Sequence, residues 1–324
     1  MSDFSKSCLL PRPASPIPDA GGSEAAEQGV TVAAAEQATA VAAAEQSTAI
    51  AAAEEAAAIA AAEEAAAYAN AVANDYFTAL RKRNIQLQGY SLLEIGPGRN
   101  LLHLFALKAS GLCISVVDRF LATWEDFDER AATLFFERLW PDSRQTVVDA
   151  MSVGGYPFPM YAEPAEDMRS IGNGSFNAIF SNATLEHFYD LPAVARELYR
   201  VTKPDGLNRH QIDFRDHRDF SRPLEFLLDD DDGFALALKG NRWMQGNRLR
   251  PSEVIRVFYE AGFQLLEITP NATVEMAYLA DFIPRLRVAK YTRYAGWPVG
   301  DLITTGARFI PLNAKNQSLP IRNR

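Results

Sequence analysis

The chain has 324 residues, 48% of them hydrophobic, which suffices for one large domain or two smaller ones around a substantial core. Its formal net charge of -9 is carried by one segment, because Glu24 to Asp75 holds nine acids and no Lys or Arg while the remainder balances. A neutral remainder excludes the basic stripe of a nucleic-acid binder, and two distant cysteines, Cys8 and Cys113, exclude a disulfide framework or a zinc spacing.

The leader, residues 1–23, has two bases, several prolines and no long apolar core, so it is expected to be disordered and to be neither a signal peptide nor a membrane span. With so few cysteines, a reducing, cytoplasmic location is expected. Residues 24–75 form a tandem repeat. Val32-Ala-Ala-Ala-Glu-Gln-Ala-Thr-Ala recurs with small changes from Val41, Ile50 and Ile59, and in a degraded copy from Tyr68. Alanine and glutamate favour helix, and neither Gly nor Pro occurs from Val30 to Gln88, so one long helix is expected. A nine-residue period is two and a half helical turns, so successive bulky anchors face opposite ways and no continuous stripe of them forms. The expected roles are a spacer or weak, alanine-mediated self-association, against the plainer alternative of an exposed helix with no specific role.

From Tyr76 bulky apolar residues and bases return, and residues 76–324 are expected to form one domain with a lead-in helix to about Arg83. Tyr90–Ile95 reads as a first strand, Leu92-Leu93-Glu94-Ile95 closing on the turn Gly96-Pro97-Gly98, and Asn100–Ala109 as the helix that follows. Ile114–Val117 reads as the second strand, ending at Asp118. A βαβ unit brings the tip of its second strand beside the glycine turn, where an acid can accept both hydroxyls of a ribose. Leu101 stands where a dinucleotide fingerprint wants its third glycine, and no Gly-Lys-Ser/Thr ending is present. The turn therefore suits a nucleoside ligand without phosphates.

These two motifs resemble the class I S-adenosylmethionine-dependent methyltransferases. The likeness extends through Ala165-Glu166-Asp167-Met168, residues 174–182, Leu185-Glu186-His187 and residues 196–206, which are similar to the later motifs of the methyltransferase type 11 group. The resemblance implies a Rossmann-like, doubly wound α/β fold with a seven-stranded, mostly parallel sheet, S-adenosylmethionine as cofactor, and methyl transfer to a small or medium-sized acceptor. It also implies cofactor contacts from Glu94, Gly96, Pro97, Gly98, Asn100, Asp118, Arg119, Ala165, Glu166, Asp167, Ser181 and Asn182. Pro164 stands where the group usually has the acid that meets the adenine amine, so that contact falls to Glu163, Glu166 or Asp167, or is absent. Asn177 replaces the aspartate that usually opens the fourth strand.

Strand four is expected over Asn177–Ser181, an amphipathic helix over Leu191–Val201, a turn at Pro204-Asp205-Gly206, and strand five over Leu207–Phe214. Residues 220–250, with Asp229–Asp232, Trp243 and Asn247-Arg248, form an insertion that the resemblance links to the acceptor pocket. The aspartates read as a solvated turn, and no metal is expected. Ser252 should cap a helix to Glu260, Phe263–Ile268 should be strand six, Phe282–Tyr294 a helix, and Leu302–Leu312 an antiparallel last strand.

Methyl transfer from a sulfonium needs mainly alignment and exclusion of water. A hydroxyl or amine acceptor gains from a base near neutral pH, and His187 and His217 are the catalytic candidates, each weighed against a purely structural role. His103 and His210 read as structural. The expected partner is a small-molecule acceptor, with no nucleic acid and no membrane span. A non-catalytic module of the same fold, associating through the N-terminal helix, is the alternative.

Overall fold

The computed structural model describes residues 22–239 and 246–313. The expected disordered leader, apart from its last two residues, and Trp243 lie outside the described residues. The chain divides into two compact units, Met1–Ala60 and Ala61–Arg324. In the first, helix α1 (Gly22–Arg81) begins, and Val41 and Ile50 are half exposed, as their opposed facings require.

In the second unit the last turns of α1 are core. Ala62, Ala66, Ala69, Ala73, Tyr76 and Leu80 recur at helical spacing and are buried against Leu102, Phe105, Phe135 and Phe180. The bulky-residue pattern that set the expected boundary at Tyr76 does not register alanines, and the unit opens at Ala61. Alanine side chains let a helix approach closely, and each buried methyl contributes roughly 0.8 kcal/mol. Phe77 stacks on Trp140 at 5.0 Å, and the Trp140 indole N–H donates to the Asn70 side chain.

Seven strands follow: β1 (Ser91–Ile95), β2 (Cys113–Val117), β3 (Met160–Tyr161), β4 (Phe176–Asn182), β5 (Thr202–Asp213), β6 (Gln264–Thr273) and β7 (Thr304–Leu312). They form one sheet in the order β3-β2-β1-β4-β5-β7-β6. β3, β2, β1, β4 and β5 are parallel, and β7 runs antiparallel to both β5 and β6. The four core positions of β1 are all buried, as a parallel strand covered on both faces requires. Helices α2 (Leu102–Ala109), α3 (Glu129–Leu134) and α4 (Arg144–Val153) join α1 in one core cluster, and α5 (Leu191–Val201) and α7 (Pro251–Glu260) supply another. This is the doubly wound arrangement, with its chain reversal between β1 and β4.

A third cluster gathers Leu224, Phe226, Phe234 of α6 (Asp231–Leu238), Phe282 of α8 (Met276–Val288), Tyr294, and Leu302 of α9 (Val299–Ile303). The helix expected over Phe282–Tyr294 thus lies earlier, set by burial of Leu279, Phe282 and Leu286. The Asp229–Asp232 run starts α6: Asp230 caps it by accepting from the Gly233 amide, while Asp229 and Asp231 pair with Arg218 and Arg248. Helix α7 is capped by Arg250, whose amide donates to Glu253, because Pro251 takes the first helical position; Ser252 bonds Asp301 instead. The Pro204-Asp205-Gly206 turn sits inside β5, where the register with β4 jumps from Phe176–Thr202 to Ala178–Leu207 and Asp205 takes φ 62°. No helix among the described residues is long and apolar enough to cross a membrane.

Candidate active site

In an open α/β sheet the ligand crevice lies at the carboxyl ends of the strands, beside the reversal of strand order. Here that places it over β1, β4 and β2. Gly96 and Gly98 have φ 59° and 72°, a backbone region that glycine enters without strain. A Cβ on Gly98 would meet nothing within 4 Å, so the backbone is open to a ligand there. A Cβ on Gly96 would lie 2.2 Å from the Thr184 methyl. The Thr184 hydroxyl donates toward the Gly96 and Asn182 carbonyls, at 2.9 and 3.1 Å, and so ties the ends of β1 and β4 together.

The pairing of Ile95 with Val117 continues into a bond from the Gly96 amide to the Val117 carbonyl, which brings Asp118 beside the glycine turn as the βαβ spacing requires. Asp118 is half-buried and accepts from the Phe120 amide. Arg119, next to it, pairs with Glu166 at 3.6 Å. Ala165 is buried beside Glu166. Of the acids flanking Pro164, Glu163 accepts from the Ser170 amide and Asp167 pairs with Arg169.

Glu94 is buried, and its two oxygens face the Tyr76 hydroxyl, which donates at 2.7 Å, and His103 Nε2, also at 2.7 Å. Burial raises the Tyr76 hydroxyl well above its ordinary pKa, and the Glu94 charge adds to this. Helix α2 starts at Leu102 rather than Asn100. The Asn100 side chain accepts from the Leu102 amide and donates to the Ala65 carbonyl of α1. Asn182, at the end of β4, donates to the Tyr68 hydroxyl of α1. Ser181 points inward, its hydroxyl 2.8 Å from His210 Nδ1, and both residues are fully buried. Pro97 is half-buried within the turn.

Sequence reasoning missed this row on α1. Ala65, Tyr68 and Tyr76 reach Asn100, Asn182 and Glu94, three of the expected cofactor residues. The available signal was the departure of the fifth repeat copy, where Tyr replaces Val or Ile and Asn70, Asp75 and Tyr76 follow. Asp75 is paired with Arg209 of β5 and with Arg308 of β7, the latter at 2.7 Å, and so fixes these turns to the sheet.

His187 ends a short 3-10 turn after β4, and His217 follows β5. Their rings lie 5.2 Å apart, tilted by 57°. His217 Nε2 is 3.7 Å from Asp213, which also accepts from Arg215. Burial pushes the Asp213 carboxyl up, but His217 and Arg215 outweigh it and hold the group at about 2. A small recess with room for about one water-sized group adjoins, its wall including Glu186, Asp213, Phe214 and Asn247. Among the described residues no group of three or more His, Cys, Asp or Glu is placed to hold a metal ion.

Residues 93–208 match the family model of a methyltransferase domain. Among solved structures, a phosphoethanolamine N-methyltransferase 2 of Haemonchus contortus aligns at 16% identity and TM-score 0.42, covering 74% of this chain and 52% of that one. An S-adenosylmethionine-dependent methyltransferase of Methanosarcina mazei aligns at 15% and 0.43, covering 71% and 95%. A 1,6-didemethyltoxoflavin-N1-methyltransferase of Burkholderia thailandensis aligns at 13% and 0.40, covering 77% and 78%. No curated protein matches the sequence. Residues 93–208, which match a methyltransferase domain, span β1 to the middle of β5 in the seven-stranded sheet.

Proposed function

We propose that the protein moves a methyl group from S-adenosylmethionine to a small or medium-sized acceptor. The observation that carries this reading is the pairing, on adjacent strand ends, of an open glycine backbone at Gly98 with the carboxylate of Asp118. The residues fit the cofactor: Asp118 can accept from ribose hydroxyls, and the amides leading into α2 can receive a carboxylate. Ala165 and Glu166 are suited to adenine, and Arg119 is joined to Glu166 by an ion pair. Glu94 is already bonded by Tyr76 and His103, so it holds the first strand's end in shape and leaves ligand contact to the backbone beside it. When bound, the cofactor supplies an activated methyl group on a sulfonium.

His187 and His217 then serve the acceptor. Either imidazole can take a proton from a hydroxyl or amine near neutral pH, and the Asp213 carboxylate lies 3.7 Å from His217 Nε2. Asn182, at the end of β4 and hydrogen-bonded to Tyr68, belongs with the cofactor side. Cofactor contacts from Gly96, Pro97, Asn100, Asp167 and Ser181 belong to the same reading, Ser181 through its backbone. Residues 61–324 form the catalytic unit.

Incubating the protein with methyl-labelled cofactor and cell extract, with mass spectrometry of the products, tests it. Label should appear in a small molecule and fall by 100-fold or more in a His187→Ala, His217→Ala double variant, the scale of lost general-base catalysis. Absence of labelled product with a folded protein and a broad extract would refute the reading.

A further inference from the structure

The loop that Thr184 ties to Gly96 carries a second acid. Glu186 is 3% exposed and lines the small recess, and among the described residues neither of its oxygens has a hydrogen-bond partner of good geometry, the Glu186 and Asp213 amides being the only backbone donors near enough to act on it. Such an orphaned buried carboxyl is rare in native structures and asks for an explanation. The side chain could have turned toward a cation, as Asp213 does toward Arg215. Instead it shares the wall of the recess with Leu185, Ile212, Phe214 and Val254.

We propose that Glu186 is the recognition acid of an ammonium subsite, so that the acceptor, on the methyltransferase reading above, is a small molecule bearing a protonated aliphatic amine. Geometry selects the amine over other groups. An ammonium carries three donors on one atom, enough for both orphaned oxygens and one further acceptor. A hydroxyl has one donor and would leave an oxygen unpaired. A carboxylate would be repelled by Asp213, whose position beside the recess adds to the negative field. Asn247 offers no competing donor, because its side-chain amide is spent on the Leu185 and Phe188 carbonyls.

The electrostatics agree. Burial pushes the Glu186 carboxyl well above the ordinary range, and the Asp213 charge adds to it; the Glu186 and Asp213 amides and Arg215 act in the opposite direction without reversing it. Without a bound cation the neutral form is therefore favoured. An ammonium would supply the missing counter-charge and allow it to ionise. Proximity to the cofactor side follows from Thr184, which lies two residues before Glu186 and whose hydroxyl donates to the Gly96 carbonyl at 2.9 Å.

The test uses the full chain with and without saturating S-adenosylhomocysteine, titrated by calorimetry with n-propylamine, n-propanol and propionate. The amine should bind at least tenfold more tightly than the alcohol, with no measurable binding of propionate. Glu186→Gln, which keeps shape and burial, should abolish the preference while leaving S-adenosylhomocysteine affinity within twofold, and Glu186→Asp should restore part of it. Infrared difference spectra should show loss of a protonated carboxyl band when the amine binds to wild type, and no such loss in the Gln variant. Equal affinity for amine and alcohol, or an amine preference that survives in Glu186→Gln, would overturn the proposal. If S-adenosylhomocysteine fails to bind, the methyltransferase reading falls, and an amine preference abolished in Glu186→Gln would still support the ammonium subsite.

Discussion

Adding a methyl group at Gly96 and at Gly98 should have different costs, although both glycines have positive φ and both belong to the same turn. For Gly98→Ala the cost is backbone strain alone, about 1–2 kcal/mol, because the new Cβ meets nothing within 4 Å. Gly96→Ala adds a Cβ 2.2 Å from the Thr184 methyl. Thr184 is buried and β-branched, and its hydroxyl is held between the Gly96 and Asn182 carbonyls, so it cannot rotate away freely. Displacing it costs about 0.5–1.5 kcal/mol in rotamer strain and a similar amount in hydrogen bonding. Gly96→Ala should therefore lose roughly 2–5 kcal/mol. Thr184→Ser removes the clashing methyl and keeps the hydroxyl, so a double-mutant cycle should return about 1 kcal/mol of coupling with Gly96→Ala and none with Gly98→Ala. Urea unfolding gives the stabilities, and S-adenosylhomocysteine titration reports whether the turn keeps its shape. Equal losses at the two glycines, or equal rescue of both by Thr184→Ser, would show that β4 does not brace the turn as described.

Asp75→Asn should cost about 3–5 kcal/mol in urea unfolding, because it leaves the fully buried Arg209 without its counter-charge; a loss below 1 kcal/mol would mean that α1 is not anchored there. His210 is held neutral by burial and by the nearby Arg209, its pKa depressed from 6.5 to about 3. The unfolded chain binds a proton below 6.5 that the folded one refuses. Stability from this group is therefore complete above 6.5 and is lost as pH falls toward 3, at up to about 1.4 kcal/mol per pH unit. His210→Gln should flatten that acid limb, and an unchanged slope would refute the assignment. Glu186 works in the opposite direction. Its raised pKa means that the folded state keeps a proton the unfolded state has released, so wild-type stability should decline above the ordinary carboxyl range and Glu186→Gln should remove that decline.

The parts of the fold visible in the sequence are those written in local pattern. Gly96, Gly98 and Asp118 announce a strand, a turn and a strand tip within a short span, and the structure brings them together. Other features depend on long-range packing. The two-residue strand β3 has no periodicity to read, and the alanines of α1 carry too little hydrophobicity to mark a buried face until a complementary surface is known. The Pro204-Asp205-Gly206 turn was legible as a turn, but its absorption into β5 depends on register with β4. At the site, the pairing of His187 with His217 rests on β4 and β5 being neighbours. The isolation of Glu186 appears only when every surrounding donor has been assigned.

The central claim is that the crevice beside Gly98 and Asp118 holds S-adenosylmethionine, and calorimetric titration with S-adenosylhomocysteine tests it most directly. Wild type should bind one equivalent, and Asp118→Ala should bind about 10- to 100-fold more weakly, the effect of losing hydrogen bonds to a charged group. Failure of correctly folded wild type to bind, or equal affinity in Asp118→Ala, would contradict the account.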